Sequence, residues 1–144
     1  VHNGGVSGDT TDAALERLPA LLAEHAPALV LVSIGGNDFL RGVPLERTRA
    51  ALRRIVETAR AGAQVALLAQ PEPAALAAAI GALKDHPVYA EVAAEAALPL
   101  FAGGWSAVLS RAELRSDRIH ANADGYALFA ERLAGWLGEV GFTG

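Results

Sequence analysis

Asp117 and His120 stand three residues apart in the turn Ser116-Asp117-Arg118-Ile119-His120, directly ahead of a helix that Asn122 can start, and both are residue types that perform acid–base chemistry. A tight turn with that spacing can lay the carboxylate against the imidazole. The acid then holds one tautomer of His120 and stabilises its charged form, which is what a general base requires. Such a pair is half of a hydrolytic apparatus. The other half is a nucleophile on a strand-to-helix turn, expected ahead of Val1.

Two further loops hold groups of a complementary kind. Residues 4–10 place the backbone N–H of Gly8 in a glycine-rich turn, and Gly35-Gly36-Asn37-Asp38 contributes the Asn37 carboxamide. Both are neutral donors suited to an oxyanion, which is held by two or three donors at about 2.7 to 3.1 Å. Glycine permits the close backbone approach this needs.

The elements that must position these loops alternate between short apolar runs and helical periodicity, the pattern of an α/β domain with a parallel sheet. Val1-His2-Asn3 reads as the tail of a strand. Thr10 or Thr11 can cap a helix bearing Ala14, Leu15, Leu18 and Leu22, which Pro19 divides or kinks. The run from Leu29 to Ile34 is apolar on both faces, reads as a central strand and leads into a loop from Gly35 to Asp38. Leu45 to Ala61 follows helical spacing and Gln64 to Ala69 is the next strand. An alanine-rich stretch from Ala74 to Leu83 follows, then a helical piece from Pro87 to Ala97 and a short strand from Leu98 to Phe101. Trp105 to Leu109 forms a loop with one helical turn. The closing helix carries Phe129, Leu133, Trp136, Leu137 and Val140 on one face, and Gly141 to Gly144 fray. In an open parallel sheet the ligand crevice lies beyond the carboxyl ends of the strands, where all three loops fall.

Composition narrows the function classes. A chain of 144 residues with 52% hydrophobic residues, 19% charged residues and a net charge of −4 suits one compact domain and argues against a nucleic-acid partner. Arg47, Arg49, Arg53, Arg54 and Arg60 gather on one helix, but Glu46 and Glu57 interrupt them and no aromatic residues are interleaved for base stacking. They read as a solvated helix face. No apolar run reaches the roughly 18 to 20 residues that span a bilayer, so no stable membrane insertion is expected. The absence of cysteine excludes disulfides and thiolate metal sites.

Asn3-Gly4-Gly5-Val6-Ser7-Gly8-Asp9-Thr10, then Gly35-Gly36-Asn37-Asp38, then Asp117-Arg118-Ile119-His120 resemble, in order and spacing, the later sequence blocks of the SGNH (GDSL-type) hydrolases, nearest their bacterial arylesterase, thioesterase and lysophospholipase branch. The resemblance covers almost the whole chain and is weakest between Gln70 and Ala97. It implies a three-layer α/β/α flavodoxin-like fold with strand order 2-1-3-4-5, and hydrolysis of small-molecule carboxylic esters or thioesters without metal or cofactor. It makes Gly8 and Asn37 oxyanion donors, and Asp117 and His120 the acid and base of a Ser-His-Asp triad. The family's first block, a strand ending in Gly-Asp-Ser-Leu, normally precedes the point where this chain begins. The expectation is therefore a single domain over residues 1–144 that is N-terminally incomplete, lacks the first strand and the nucleophile, and is inactive and either poorly soluble or partly unfolded by itself.

Other readings stand beside this one. Gly8-Asp9-Thr10 imitates the first block with threonine for serine, but Gly8 lies too few residues before Gly35, so capping and turn hydrogen bonds account for Thr10 and Ser7. Asp117 with His120 can be a capped turn, and Asn37 a turn residue. Asp38 reads as a buttress of its loop. His2, His25 and His86 show no ligand spacing with His120, so no metal site is assigned. Trp105, Phe101 and Tyr89 read as core. A non-catalytic homologue that binds acyl or glycan ligands, or a flavodoxin-like module binding phosphate or a partner protein, are the alternatives of other classes; Asp9 and Asp38 would repel phosphate. The stretch from Gln70 to Pro87 is expected to wall the pocket, its alanines suiting short acyl or aryl esters.

Overall fold

The structure, a computed structural model, describes residues 1–73 and 81–142. Most of the alanine-rich stretch from Ala74 to Leu83 and the last two residues of the chain lie outside the described residues. Helix α1 (Thr11–His25) starts where Thr10 accepts a hydrogen bond from the Ala13 N–H at 3.4 Å. It runs through Pro19 as one helix, so of the expected division or kink the division does not occur. Ala14, Leu15 and Leu18 pack against the core, and that tertiary contact offsets the hydrogen bond a proline cannot donate.

Strand β1 (Leu29–Val32) is followed by a short helix α2 (Gly36–Leu40), then α3 (Leu45–Arg60), β2 (Gln64–Leu68), α4 (Val88–Ala96) and β3 (Leu100–Phe101). Helix α5 (Gly104–Leu109), a 3-10 turn over Ala112–Leu114 and α6 (Ala123–Glu139) complete the chain. The three strands are parallel in the order β1-β2-β3, with Leu29 opposite Gln64 and Leu67 opposite Leu100. Along β2 the side chains alternate. Val65, Leu67 and Ala69 enter a core with Leu52, Ile55, Val56, Val88, Tyr89 and Val92, while Leu68 enters a second core with Phe101, Val108 and Phe129. Helices α1, α3 and α4 thus cover one face of the sheet and α5 and α6 the other, a three-layer α/β/α arrangement.

Three expectations are corrected here. Val1-His2-Asn3 is not part of a strand; it is exposed, with the His2 ring stacked on His25 at 4.1 Å. Leu29 to Ile34 does not supply a central strand: β1 is an edge of the described sheet and leaves Leu31 37% exposed. Apolar residues on both faces signal a demand for burial, and here only β2 meets it by pairing. The loop from Gly35 to Asp38 is largely a helical turn, entered through Gly35 at φ 114°. A side chain there would sit 2.3 Å from the Tyr89 hydroxyl, which donates to the Ile34 carbonyl at 2.7 Å.

The arginines of α3 are not simply solvated. Arg49 pairs with Glu46 and with Glu91 of α4, and Arg53 with Glu95, so they clamp two helices together. In α6 Phe129 is buried and Leu133 and Trp136 pack on the second core, whereas Val140 is exposed past the helix end.

Candidate active site

The turn that carries Asp117 and His120 is closed from outside. Arg115 and Ala121 form an isolated antiparallel bridge, and the Ser116 N–H donates to the His120 carbonyl at 3.0 Å. Asn122 fixes the far end. Its carboxamide donates to the Glu113 carbonyl at 2.8 Å, and its oxygen caps α6 by accepting from the Gly125 N–H at 3.0 Å. Gly125 has no room for a side chain, because a Cβ would lie 2.3 Å from the Leu114 carbonyl oxygen.

Within this frame the Asp117 carboxylate folds back on its own turn. Oδ1 accepts from the Ile119 and His120 N–H groups, each at 2.8 Å, and Oδ2 lies 2.8 Å from His120 Nδ1. The Ile119 N–H, the His120 ring and the His120 N–H, in that order of effect, hold the carboxyl down at about 2. An ionised carboxylate only accepts, so the proton of neutral His120 resides on Nδ1 and Nε2 keeps its lone pair. Both side chains are more than half exposed. Among the described residues, no serine or threonine hydroxyl is hydrogen-bonded to the His120 ring.

The other two loops are joined to each other. Asn37 Nδ2 donates to the Asp9 carbonyl at 3.0 Å, which uses one of its two N–H bonds and leaves the second. Gly8 adopts φ 85° in the turn closed by the Asp9 N–H on the Val6 carbonyl, and its own N–H has no partner among the described residues. Next to this contact, Asp38 is buried and accepts from the Thr11 N–H at 2.9 Å and the Thr11 hydroxyl at 2.5 Å, with the Thr48 hydroxyl at 3.3 Å. The carboxylate therefore occupies the positive end of α1 and holds its loop from within.

Gly8, Asn37 and His120 line one cleft of about 1360 Å³ that runs along β1, and Asp117 stands behind His120 outside its wall. Residues that did not stand out in the sequence also reach it. Ser33 accepts from Gln70 Nε2 at 3.1 Å and from Trp105 Nε1 at 3.4 Å. Trp105 stacks on Phe129 at 3.7 Å and meets Tyr126 edge-on, so it both packs on the core and walls the cleft, whereas Phe101 and Tyr89 are core alone. Of the stretch expected to form the pocket, residues 70–73 and Leu83 line the cleft and residues 74–80 are outside the described part. Among the described residues, no three His, Asp or Glu side chains are grouped to hold a metal, and no helix is long and apolar enough to cross a membrane.

Known proteins resemble this chain in sequence and fold. The sequence profile of the GDSL-like lipase/acylhydrolase family matches residues 1–128. The thioesterase 1/protease 1/lysophospholipase L1 of Escherichia coli (strain K12) is 36% identical over 138 residues, covering 93% of this chain and 65% of that protein. This chain thus spans a little under two thirds of that relative. The crystal structure of TesA superposes with a TM-score of 0.73 at 34% identity, over 94% of this chain and 76% of that one. The psychrotrophic esterase EstA from Pseudoalteromonas sp. superposes with a TM-score of 0.83 over 99% of this chain and 78% of that one, a likeness of fold at 23% identity.

Proposed function

Because the chain belongs to the GDSL-like lipase/acylhydrolase family, we propose that residues 1–144 carry the general base and two oxyanion donors of a serine hydrolase acting on carboxylic esters or thioesters. The observation that carries this reading is His120. Its Nδ1 is engaged by an ionised Asp117, and the residue lines the same cleft as Gly8 and Asn37.

In the proposed reaction a serine hydroxyl adds to the substrate carbonyl while His120 Nε2 takes its proton. Asp117 orients the ring and stabilises the imidazolium. The Gly8 N–H and the second N–H of Asn37 Nδ2 hold the oxyanion. The intermediate collapses to an acyl-serine, and the leaving alcohol or thiol departs with the proton held by His120. Water then attacks the acyl group by the same base and releases the acid. We assign the serine to a strand ending in a Gly-Asp-Ser turn that lies outside residues 1–144, beside β1. The names of the relatives, thioesterase and lysophospholipase among them, favour acyl substrates.

The test compares residues 1–144 alone with a polypeptide in which a Gly-Asp-Ser strand precedes Val1, using p-nitrophenyl acetate and an acyl thioester. Hydrolysis only in the longer polypeptide, abolished by His120→Ala, supports the reading. A longer polypeptide that folds but turns over neither substrate would make it a non-catalytic homologue.

A further inference from the structure

The geometry points to Arg17 as a positioning residue for both oxyanion donors, acting through Asp9; this rests on the hydrolase reading above. Arg17 lies on α1, outside the three sequence blocks. Its guanidinium commits all three nitrogens to residues 4–9: Nε donates to Asp9 Oδ2 at 3.0 Å, Nη2 to the same oxygen, and Nη1 to the Gly4 carbonyl at 3.0 Å. One planar group therefore ties the first and last residues of the loop that holds Gly8. Gly4 is also pressed onto the same helix, since a Cβ there would meet Leu21 at 2.9 Å.

Asp9 is held from two sides. Arg17 holds its carboxylate, which is only 14% exposed, and Asn37 Nδ2 donates to its carbonyl. The orientation of the Asn37 carboxamide is thus set by a carbonyl whose own position is set by Arg17. By contrast, the neighbouring Arg47–Asp12 pair is far more exposed and touches none of the donor loops, the kind of surface pair that contributes little. A planar fork can satisfy a carboxylate and a carbonyl at once, which the ammonium of lysine does less well. Misplacing reacting or stabilising groups by about 1 Å can cost about a hundredfold in rate. A loosened clamp should therefore show in kcat rather than in substrate affinity.

The test uses Arg17→Met and Arg17→Lys in the polypeptide carrying the Gly-Asp-Ser strand. For Arg17→Met, kcat should fall about tenfold or more with KM changed less than about twofold, and Arg17→Lys should recover part of the loss. In an Asn37→Ala background the Arg17→Met loss should shrink markedly, because the two act in series. In the same polypeptide, Arg17→Met should broaden the NMR signals of the Asn37 carboxamide, which Arg17 does not hydrogen-bond, while signals of β2 stay sharp. If Arg17→Met does not fold, Asp9→Asn and Arg17→Lys are judged by the same split. An unchanged kcat, or losses that add fully with Asn37→Ala, overturns the proposal while His120→Ala still abolishes hydrolysis. Broadened Asn37 signals in a polypeptide that hydrolyses nothing keep the clamp and remove the hydrolase reading.

Discussion

Asp38 meets Thr11 with both carboxylate oxygens across 27 residues of sequence, Oδ1 to the hydroxyl at 2.5 Å and Oδ2 to the backbone N–H at 2.9 Å. The N–H belongs to the first turn of α1, where no intrahelical acceptor exists. Because Asp38 is 1% exposed, water cannot replace it. Asp38→Ala should lower stability by about 3 kcal/mol, since it strands a buried N–H and two hydroxyls. Asp38→Asn should cost less but still about 1 kcal/mol or more, because its NH2 turns a donor toward a donor. Urea unfolding of the variants checks both, and an Asp38→Asn midpoint equal to that of the parent would contradict the geometry.

Asp117 carries a pH signature. Its folded value of about 2 lies below the ordinary 3.8, so its hydrogen bonds favour the folded form fully above 3.8 and lose that effect as the pH falls through about 2. The Asp117 side-chain carbon should titrate with a midpoint near 2 by NMR. Asp117→Asn should leave the turn closed, exchange the acceptor at Nδ1 for a group that can donate and, on the proposed mechanism, lower kcat of the polypeptide carrying the Gly-Asp-Ser strand about ten-thousandfold. A titration midpoint near 3.8 would mean that the three hydrogen bonds do not persist in solution.

What was legible in the sequence divides along range. Asp117 and His120 are three residues apart, so turn geometry alone brings them together, and the carboxylate's contacts with the Ile119 and His120 N–H groups are equally local. The Asn37–Asp9 and Asp38–Thr11 contacts span 28 and 27 residues, and no local pattern encodes them. The order of alternating strands and helices was readable from periodicity, because each element buries one face. The edge position of β1 was not, since an apolar run states how much surface must be covered and not which strand covers it. Gly35 to Asp38 read as a loop because glycine, asparagine and aspartate are poor helix formers. The packing of Tyr89 and the burial of Asp38 override that preference. Trp105 read as core because an aromatic side chain buries a large area; one face does so, against Phe129, while the residue also lines the cleft.

Two glycines of α6 should respond oppositely to the same change. At Gly125 a Cβ would stand 2.3 Å from the Leu114 carbonyl oxygen and 3.1 Å from Val108. The first is backbone and cannot step aside, so Gly125→Ala must push α6 away from the turn that holds His120. A loss of about 3 kcal/mol is expected, with a fall in kcat if His120, which moves with its turn, is the base we propose. At Gly135 no atom lies within 4 Å of the added methyl, and Gly135→Ala should stabilise the helix by about 0.5 to 1 kcal/mol. Thermal unfolding of the pair checks this, and equal effects would show that the Gly125 contact yields.

The free side of β1 sets the last expectation. Leu29–Val32 pair only with β2 among the described residues, and their other side faces the cleft, with Leu31 37% exposed. An open row of backbone N–H and C=O groups beside apolar side chains is a template for another strand. Residues 1–144 in isolation should therefore self-associate as concentration rises, visible by sedimentation. Leu31→Lys should weaken that association, because a charge on an edge strand opposes pairing and remains solvated in the single chain. Addition of a peptide with an apolar strand ending in Gly-Asp-Ser should suppress it by occupying the same edge. A chain that stays monomeric at every concentration and unfolds in one cooperative transition would show that this edge is protected in solution.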